Sequence, residues 1–191
     1  MNTRDALLDS AETAARKRGY DGFSFADMAR DVGIRKASIH HHFPTKSDLG
    51  FHLIDRYAAQ FENALSDIDT PQVRAGEKLQ AYHALYRDAL AGGTQLCLCV
   101  ALSAGRDSLT DPVLDRLNQF HQNSIAWLQR AFAEAALDGS VSGLTDTDAE
   151  AHATLSLMEG AQLIARAAAN VAPFDQATAA FLSRLSPAHH T

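Results

Sequence analysis

The chain has 191 residues, a formal net charge of −6 and 46% hydrophobic residues, enough apolar material for a large core and too much for a disordered chain. Ala and Leu far outnumber the β-branched Val and Ile, and Gly and Pro are sparse, so an all-α fold is expected. No window approaches the ~18 consecutive apolar residues of a membrane span, and the N-terminus opens directly into a polar helix; the expectation is a cytoplasmic protein with no membrane partner. Two cysteines spaced Cys-x-Cys, Cys97 and Cys99, make neither a disulfide framework nor a zinc site, and no metal or cofactor is expected.

The charge is uneven. Residues 1–57 hold 9 Lys/Arg against 8 Asp/Glu, with four of the nine histidines, whereas residues 58–191 hold 8 against 15. Cations cluster at Arg16-Lys17-Arg18 and Arg35-Lys36. A basic-leaning module on an acidic body is compatible with a nucleic-acid partner.

In chain order, Leu7, Leu8, Ala11, Ala14 and Ala15 recur at helical spacing, predicting a helix over residues 3–18 that Gly19 stops. Ser24 and Asp27 form a capping-box variant that opens a short helix from Phe25, ended by Gly33. Another short helix covers residues 36–43 before Pro44. Thr45 and Asp48 repeat the capping logic and open a long helix to about Asp67. Pro71 suits the start of a helix reaching about Leu90, and Gly92-Gly93 breaks the chain again. The apolar run from Leu96 to Ala104 reads as buried. Thr110-Asp111-Pro112 opens a long helix to about Leu137, Thr145 caps the next to about Asn170, and Pro173 opens the last, ending near Leu185. About nine helices result, and His189-His190 in the tail are expected to be solvated.

The segment between Phe25 and Phe43 carries the strongest signal. Counted from Phe25, Ala29 is fifth, Gly33 ninth and Ile39 fifteenth. A helix-turn-helix needs a small residue where its helices cross, glycine at the turn for positive φ, and an apolar plug under the crossing. The flanks are more specific. The segment from Phe23 to Leu49, with Gly19-Tyr20 before it and His40-His41-His42-Phe43-Pro44-Thr45-Lys46-Ser47-Asp48-Leu49 at its end, resembles the N-terminal domain of TetR-family transcriptional repressors. The resemblance covers about residues 4–57; beyond it only the helical layout matches.

The resemblance implies a helix-turn-helix DNA-binding domain over residues 1–48 and an effector-binding and dimerisation domain over residues 49–191. It implies a homodimer that binds a double-stranded, pseudo-palindromic operator and is released by a small apolar or aromatic effector, with no enzymatic activity. Lys36, Ala37, Ser38 and His41 then lie on the part of the recognition helix that enters a major groove. Ser24, Thr45 and Lys46 sit at helix N-termini suited to phosphate. Three positions depart from the pattern. Arg35 stands in place of a Ser or Thr cap, and Ala15 in place of a phenylalanine. His40 replaces a phosphate-contacting tyrosine; a neutral histidine can donate to phosphate, and a protonated one adds charge attraction.

Weaker constellations follow. Tyr82 and Tyr86, then Phe120, His121 and Trp127, with Cys97 and Met158, are candidates for an effector pocket, though such residues also build ordinary cores. Cys97 and Cys99 point to nearly opposite sides of a helix; no Lys or Arg lies within six residues of either, which favours small buried hydrophobes over a thiol-based electrophile or redox sensor. Leu157, Ala161, Ile164 and Ala168, with Phe174 and Phe181, form stripes that fit a two-fold four-helix interface. The alternative to an effector-released repressor is a DNA-bound scaffold whose acidic body recruits a protein partner.

Overall fold

Asn2 caps the first helix by accepting from the Arg4 amide at 2.9 Å, and Gly19, at φ 80°, stops it. The computed structural model describes residues 2–185, so the tail with His189 and His190 lies outside the described residues. Nine α-helices appear among them: α1 Thr3–Arg18, α2 Phe25–Val32, α3 Lys36–His42, α4 Lys46–Ile68, α5 Ala75–Ala89, α6 Leu98–Ala104, α7 Asp111–Asp138, α8 Thr147–Ala167 and α9 Ala172–Ser183. The all-α expectation holds. No helix among the described residues is long and apolar enough to cross a membrane.

The chain divides into two compact units, and α4 and α7 each run through both. The first unit joins the residues up to Gln60 with Gln95–Phe120. Its buried residues include Leu7, Leu8 and Ala11 of α1, Met28 of α2, Ile39 of α3, Leu49 and Leu53 of α4, and the apolar face of α6. Full burial of each such Leu, Ile or Met side chain contributes ~1.5–3 kcal/mol. Arg16 belongs to this interior and not to a basic surface cluster. Its Nε donates to the Leu96 carbonyl at 2.9 Å and its Nη1 lies 3.2 Å from Glu12.

The second unit comprises Phe61–Thr94 and the residues from His121 onward. Its core draws Leu79, Tyr82 and Tyr86 from α5, Leu90 from the residue that follows it, and Trp127, Leu128 and Phe132 from α7. Leu155, Met158, Ala161 and Ala165 come from α8, and Phe174 and Phe181 from α9.

Two helix starts differ from expectation. Pro71 lies in a turn, and α5 begins at Ala75 because Asp138 accepts from the Ala75 amide at 2.9 Å and the Ser140 hydroxyl from the Gly76 amide at 2.7 Å. These partners lie more than sixty positions away in sequence, beyond the reach of local capping rules. The cap of α8 is Asp146 rather than Thr145; its carboxylate accepts from the amides of Asp148 and Ala149 at 3.0 and 3.1 Å.

Candidate nucleic-acid interface

The helix-turn-helix is assembled from short-range bonds. The Ser24 hydroxyl accepts from the Asp27 amide at 3.3 Å, while the Asp27 carboxylate accepts from the Ser24 amide at 2.9 Å and hydroxyl at 2.7 Å. Those Ser24 bonds, aided by Arg30, hold the Asp27 carboxyl below its ordinary range. Gly33 takes φ 73° and ψ 32°, the left-handed conformation a Cβ disfavours. The next residue, Ile34, bonds back to the Ala29 carbonyl at 3.0 Å. Ile39 is fully buried beneath the crossing.

Consequently α3 presents its N-terminal turn outward. Arg35, Lys36, Ala37, His40 and His41 are exposed, and Ser38 and His42 are half-buried. Arg35 caps α3 without any side-chain bond, as expected of a residue with no acceptor on its side chain. Thr45 and Asp48 cap α4 reciprocally: the Asp48 carboxylate accepts from the Thr45 amide at 3.0 Å, and the Thr45 hydroxyl from the Asp48 amide at 3.1 Å.

Lys46 and His40 are more committed than their sequence suggests. The Lys46 ammonium donates to the Phe23 carbonyl at 2.9 Å and lies 4.8 and 4.7 Å from the ring centroids of Tyr20 and Phe23. Burial lowers its pKa, with the Asp21 charge opposing. The Tyr20 hydroxyl donates in turn to the Lys46 carbonyl at 2.6 Å, and burial followed by the Asp21 charge pushes the phenol up to about 12. Tyr20 thereby clamps the loop after α1 onto α4. Only a glycine at position 50 leaves room for it, because a Cβ there would lie 2.6 Å from the Tyr20 hydroxyl. The Gly19-Tyr20 signal hinted at this clamp, but nothing in the sequence named Lys46 as its other half. The His40 Nδ1 lies 3.1 Å from the Pro44 carbonyl, so a neutral His40 has already given away its one N–H. Donation from a neutral His40 to phosphate would therefore require giving up the Pro44 bond.

The remaining candidates fall in both units. In the first, Cys97 and Cys99 are buried, and the Tyr57 hydroxyl donates to the Cys97 sulfur at 3.2 Å. Burial pushes the Tyr57 phenol well above its ordinary value. Phe120 packs against Tyr57 with ring centroids 6.4 Å apart. Although no cation is near the cysteines in sequence, the Arg16 guanidinium lies 6.0 Å from the Tyr57 ring centroid.

In the second unit Tyr82 stacks on Trp127 at 5.4 Å and neighbours Tyr86 at 5.2 Å, and Phe61, which sequence reasoning missed, packs edge-on to both tyrosines. Met158 is buried in the same core. His121 Nε2 lies 3.2 Å from Glu159, and Gln162 donates to the Tyr86 carbonyl at 2.6 Å. The Ser124 hydroxyl is buried without a hydrogen-bond partner among the described residues. Trp127 also lines a surface groove of about 390 Å³ with Glu62, Leu65, Asn123 and Arg130.

The interface candidates split by exposure. Ile164 is 59% exposed, Ala168 is exposed and Leu157 half-buried, and the neighbouring Leu163, which periodicity did not single out, is 46% exposed. Phe174 is corrected: it is fully enclosed against His83, with ring centroids 5.2 Å apart. Ala161 and Phe181 are likewise mostly enclosed within the protomer. Periodicity marked the apolar faces of α8 and α9 but did not say which face the protomer itself covers.

Comparison with known proteins agrees with this geometry. The family described as bacterial regulatory proteins, tetR family, matches residues 7–52, and the tetracyclin repressor-like C-terminal domain matches residues 58–181. A biofilm operon icaADBC HTH-type negative transcriptional regulator, IcaR of Staphylococcus aureus, is 39% identical over 46 residues, 24% of this chain and 25% of that protein. The chain thus aligns with about a quarter of the length of such curated relatives. A TetR-family regulator from Agrobacterium tumefaciens superimposes with a TM-score of 0.89 at 30% identity, covering 97% of this chain and 98% of that one. AibR, solved with isovaleryl coenzyme A and operator DNA, shares the fold with a TM-score of 0.69 at 21% identity, covering 85% and 86% of the two chains. A turn glycine, a buried plug and an outward recognition helix, joined to a C-terminal domain matched along most of its length, make this chain a member of the TetR family of bacterial transcription regulators.

Proposed function

We propose that the protein is a homodimeric repressor that binds a pseudo-palindromic operator through residues 1–48 and is released by a small apolar or aromatic effector held within residues 49–191. The observation that carries the DNA-binding part is the exposed first turn of α3, with Lys36, Ala37 and His41 outward on a motif fastened by Gly33 and the Tyr20–Lys46 clamp. Lys36 suits guanine O6/N7 in a major groove. The relative that matches over 46 residues is a negative transcriptional regulator, which supports repression.

The aromatic cluster of Phe61, Tyr82, Tyr86 and Trp127 supports an apolar or aromatic effector, and the unpartnered Ser124 hydroxyl supports one that also carries a hydrogen-bonding group. The fold neighbour solved with both an acyl coenzyme A and operator DNA supports coupling between two such ligands. Whatever the effector, the coupling is reciprocal: it weakens DNA binding by the factor that DNA weakens effector binding.

The exposed apolar side chains of α8, Leu163 and Ile164, support a two-fold interface between copies of the chain. Repeated selection of duplexes from a random-sequence pool tests the reading. Enrichment of an inverted repeat, lost with Lys36→Ala at one position of each half-site, is expected; no enrichment, or enrichment of single non-repeated sites, overturns it.

A further inference from the structure

His40 is the residue on which this chain's DNA contact becomes conditional, an inference that rests on the DNA-binding reading above. Its ring is exposed near the C-terminal end of α3, edge-on to Phe25 at 5.2 Å. It lies one turn beyond Lys36 on the same helix face and four residues before Pro44, next to the start of α4. The Nδ1 lies 3.1 Å from the Pro44 carbonyl oxygen. A carbonyl oxygen only accepts, so Nδ1 carries the hydrogen. A neutral imidazole has one N–H, which leaves Nε2 with a lone pair.

A DNA phosphate is also acceptor-only under neutral conditions. Neutral His40 would therefore meet it lone pair to lone pair. A protonated ring keeps the Pro44 bond and adds a second, charged donor at Nε2. The surrounding elements hold several charged groups. From α2 come Asp27 and Arg30, which are paired with one another; α3 itself carries Lys36, His41 and His42 behind Arg35. From α4 come Asp48, bonded to Thr45, and Lys46, bonded to Phe23. Among the described residues no carboxylate bonds to His40, so the protein supplies no counter-anion for an imidazolium there. The nucleic acid does.

We propose that His40 contacts a DNA phosphate through Nε2 only as the imidazolium, so that DNA binding takes up about one proton per protomer. The affinity then rises as pH falls from about 8 to about 6, by up to about tenfold per pH unit for each protomer engaged. Glutamine in place of His40 keeps a neutral donor, and tyrosine supplies a hydroxyl that donates without taking up a proton.

The test uses the full chain and a duplex selected by it from a random-sequence pool, with calorimetry in buffers of different ionisation heat at about pH 7. The expected result is net proton uptake by the parent, and no uptake with pH-flat affinity in His40→Tyr. His40→Gln should behave likewise and serves if the tyrosine variant fails to fold. Binding by the parent without proton uptake overturns the proposal. So does uptake that survives both His40 variants, or uptake abolished by His41→Gln alone. If no duplex is enriched at all, the DNA-binding reading itself falls, an outcome distinct from tight but pH-independent binding.

Discussion

Two glycines in the N-terminal unit are required for different physical reasons, and the difference is measurable. Gly33 has φ 73°, and a Cβ there would meet nothing within 4 Å, so Gly33→Ala strains only the backbone, at about 1–2 kcal/mol. Gly50 has ordinary helical geometry, but its Cβ would strike the Tyr20 hydroxyl at 2.6 Å. Gly50→Ala should cost about 1–3 kcal/mol through overpacking and also displace the bond from Tyr20 to the Lys46 carbonyl. Urea titration should show both losses; in Gly50→Ala the Tyr20 phenol should fall back from about 12, detectable by ultraviolet titration. Lys46 extends the contrast to function. Because its ammonium already serves Phe23 and two rings, Lys46→Ala should lower the melting temperature as well as DNA affinity, whereas Lys36→Ala should lower only sequence preference. Equal melting temperatures for these two variants would remove Lys46 from its structural role. Gly33 was legible in the sequence because a helix-turn-helix dictates its φ locally. Gly50 was not, since its neighbour Tyr20 is thirty positions away.

Between elements, the bond joining α5 to α9 makes stability depend on pH. Thr178 donates its hydroxyl hydrogen to the Phe174 carbonyl at 2.8 Å, so at 2.9 Å it accepts from His83 Nε2–H. Burial, more strongly than the opposing Asp175 charge, lowers the His83 pKa below the ordinary histidine value. The folded state therefore favours the neutral ring, while the unfolded chain takes up a proton near its usual value of about 6.5. Stability from this site is complete above that value and is lost as pH falls through it towards the lower folded value. Chemical denaturation between about pH 8 and 5 should show this loss in the parent and a shallower one in His83→Gln; identical slopes would exclude His83 as the cause. The helix ends show the same dependence on partners remote in sequence. Starts with their own caps, at Ser24 and Thr45, were legible, because the capping atoms lie three residues away. The start of α5 was not, because Asp138 at the end of α7 and Ser140 in the loop after it help to set it from afar. Ser140→Ala should leave the buried Gly76 amide unpaired and cost about 1–3 kcal/mol, with helix content largely retained in circular dichroism.

For the whole molecule, the proposed assembly turns on which apolar side chains the protomer leaves uncovered. Periodicity assigned the interface to Phe174 and Phe181 along with Ile164, yet Phe174 is fully enclosed and Ile164 is 59% exposed. A charge at Phe174 would unfold the protomer and say nothing about dimers. Ile164→Glu and Leu163→Glu place the charge where the isolated protomer leaves solvent, so the fold should survive while association fails. Sedimentation should give monomers, with unfolding free energy per protomer within about 0.5 kcal/mol of the parent's folded monomer. Gly160 sharpens the test. A Cβ there meets nothing within 4 Å inside the protomer, so Gly160→Ala should strengthen α8 by about 1 kcal/mol if the protomer is the whole story. If a second copy of the chain packs closely over that turn, the added methyl instead pushes the two helices apart, and the dimer should dissociate at higher protein concentration than the parent does. Operator affinity should fall with it, because two half-sites are then read by separate molecules. A more stable Gly160→Ala protein with unchanged dimerisation would move the interface away from this face of α8.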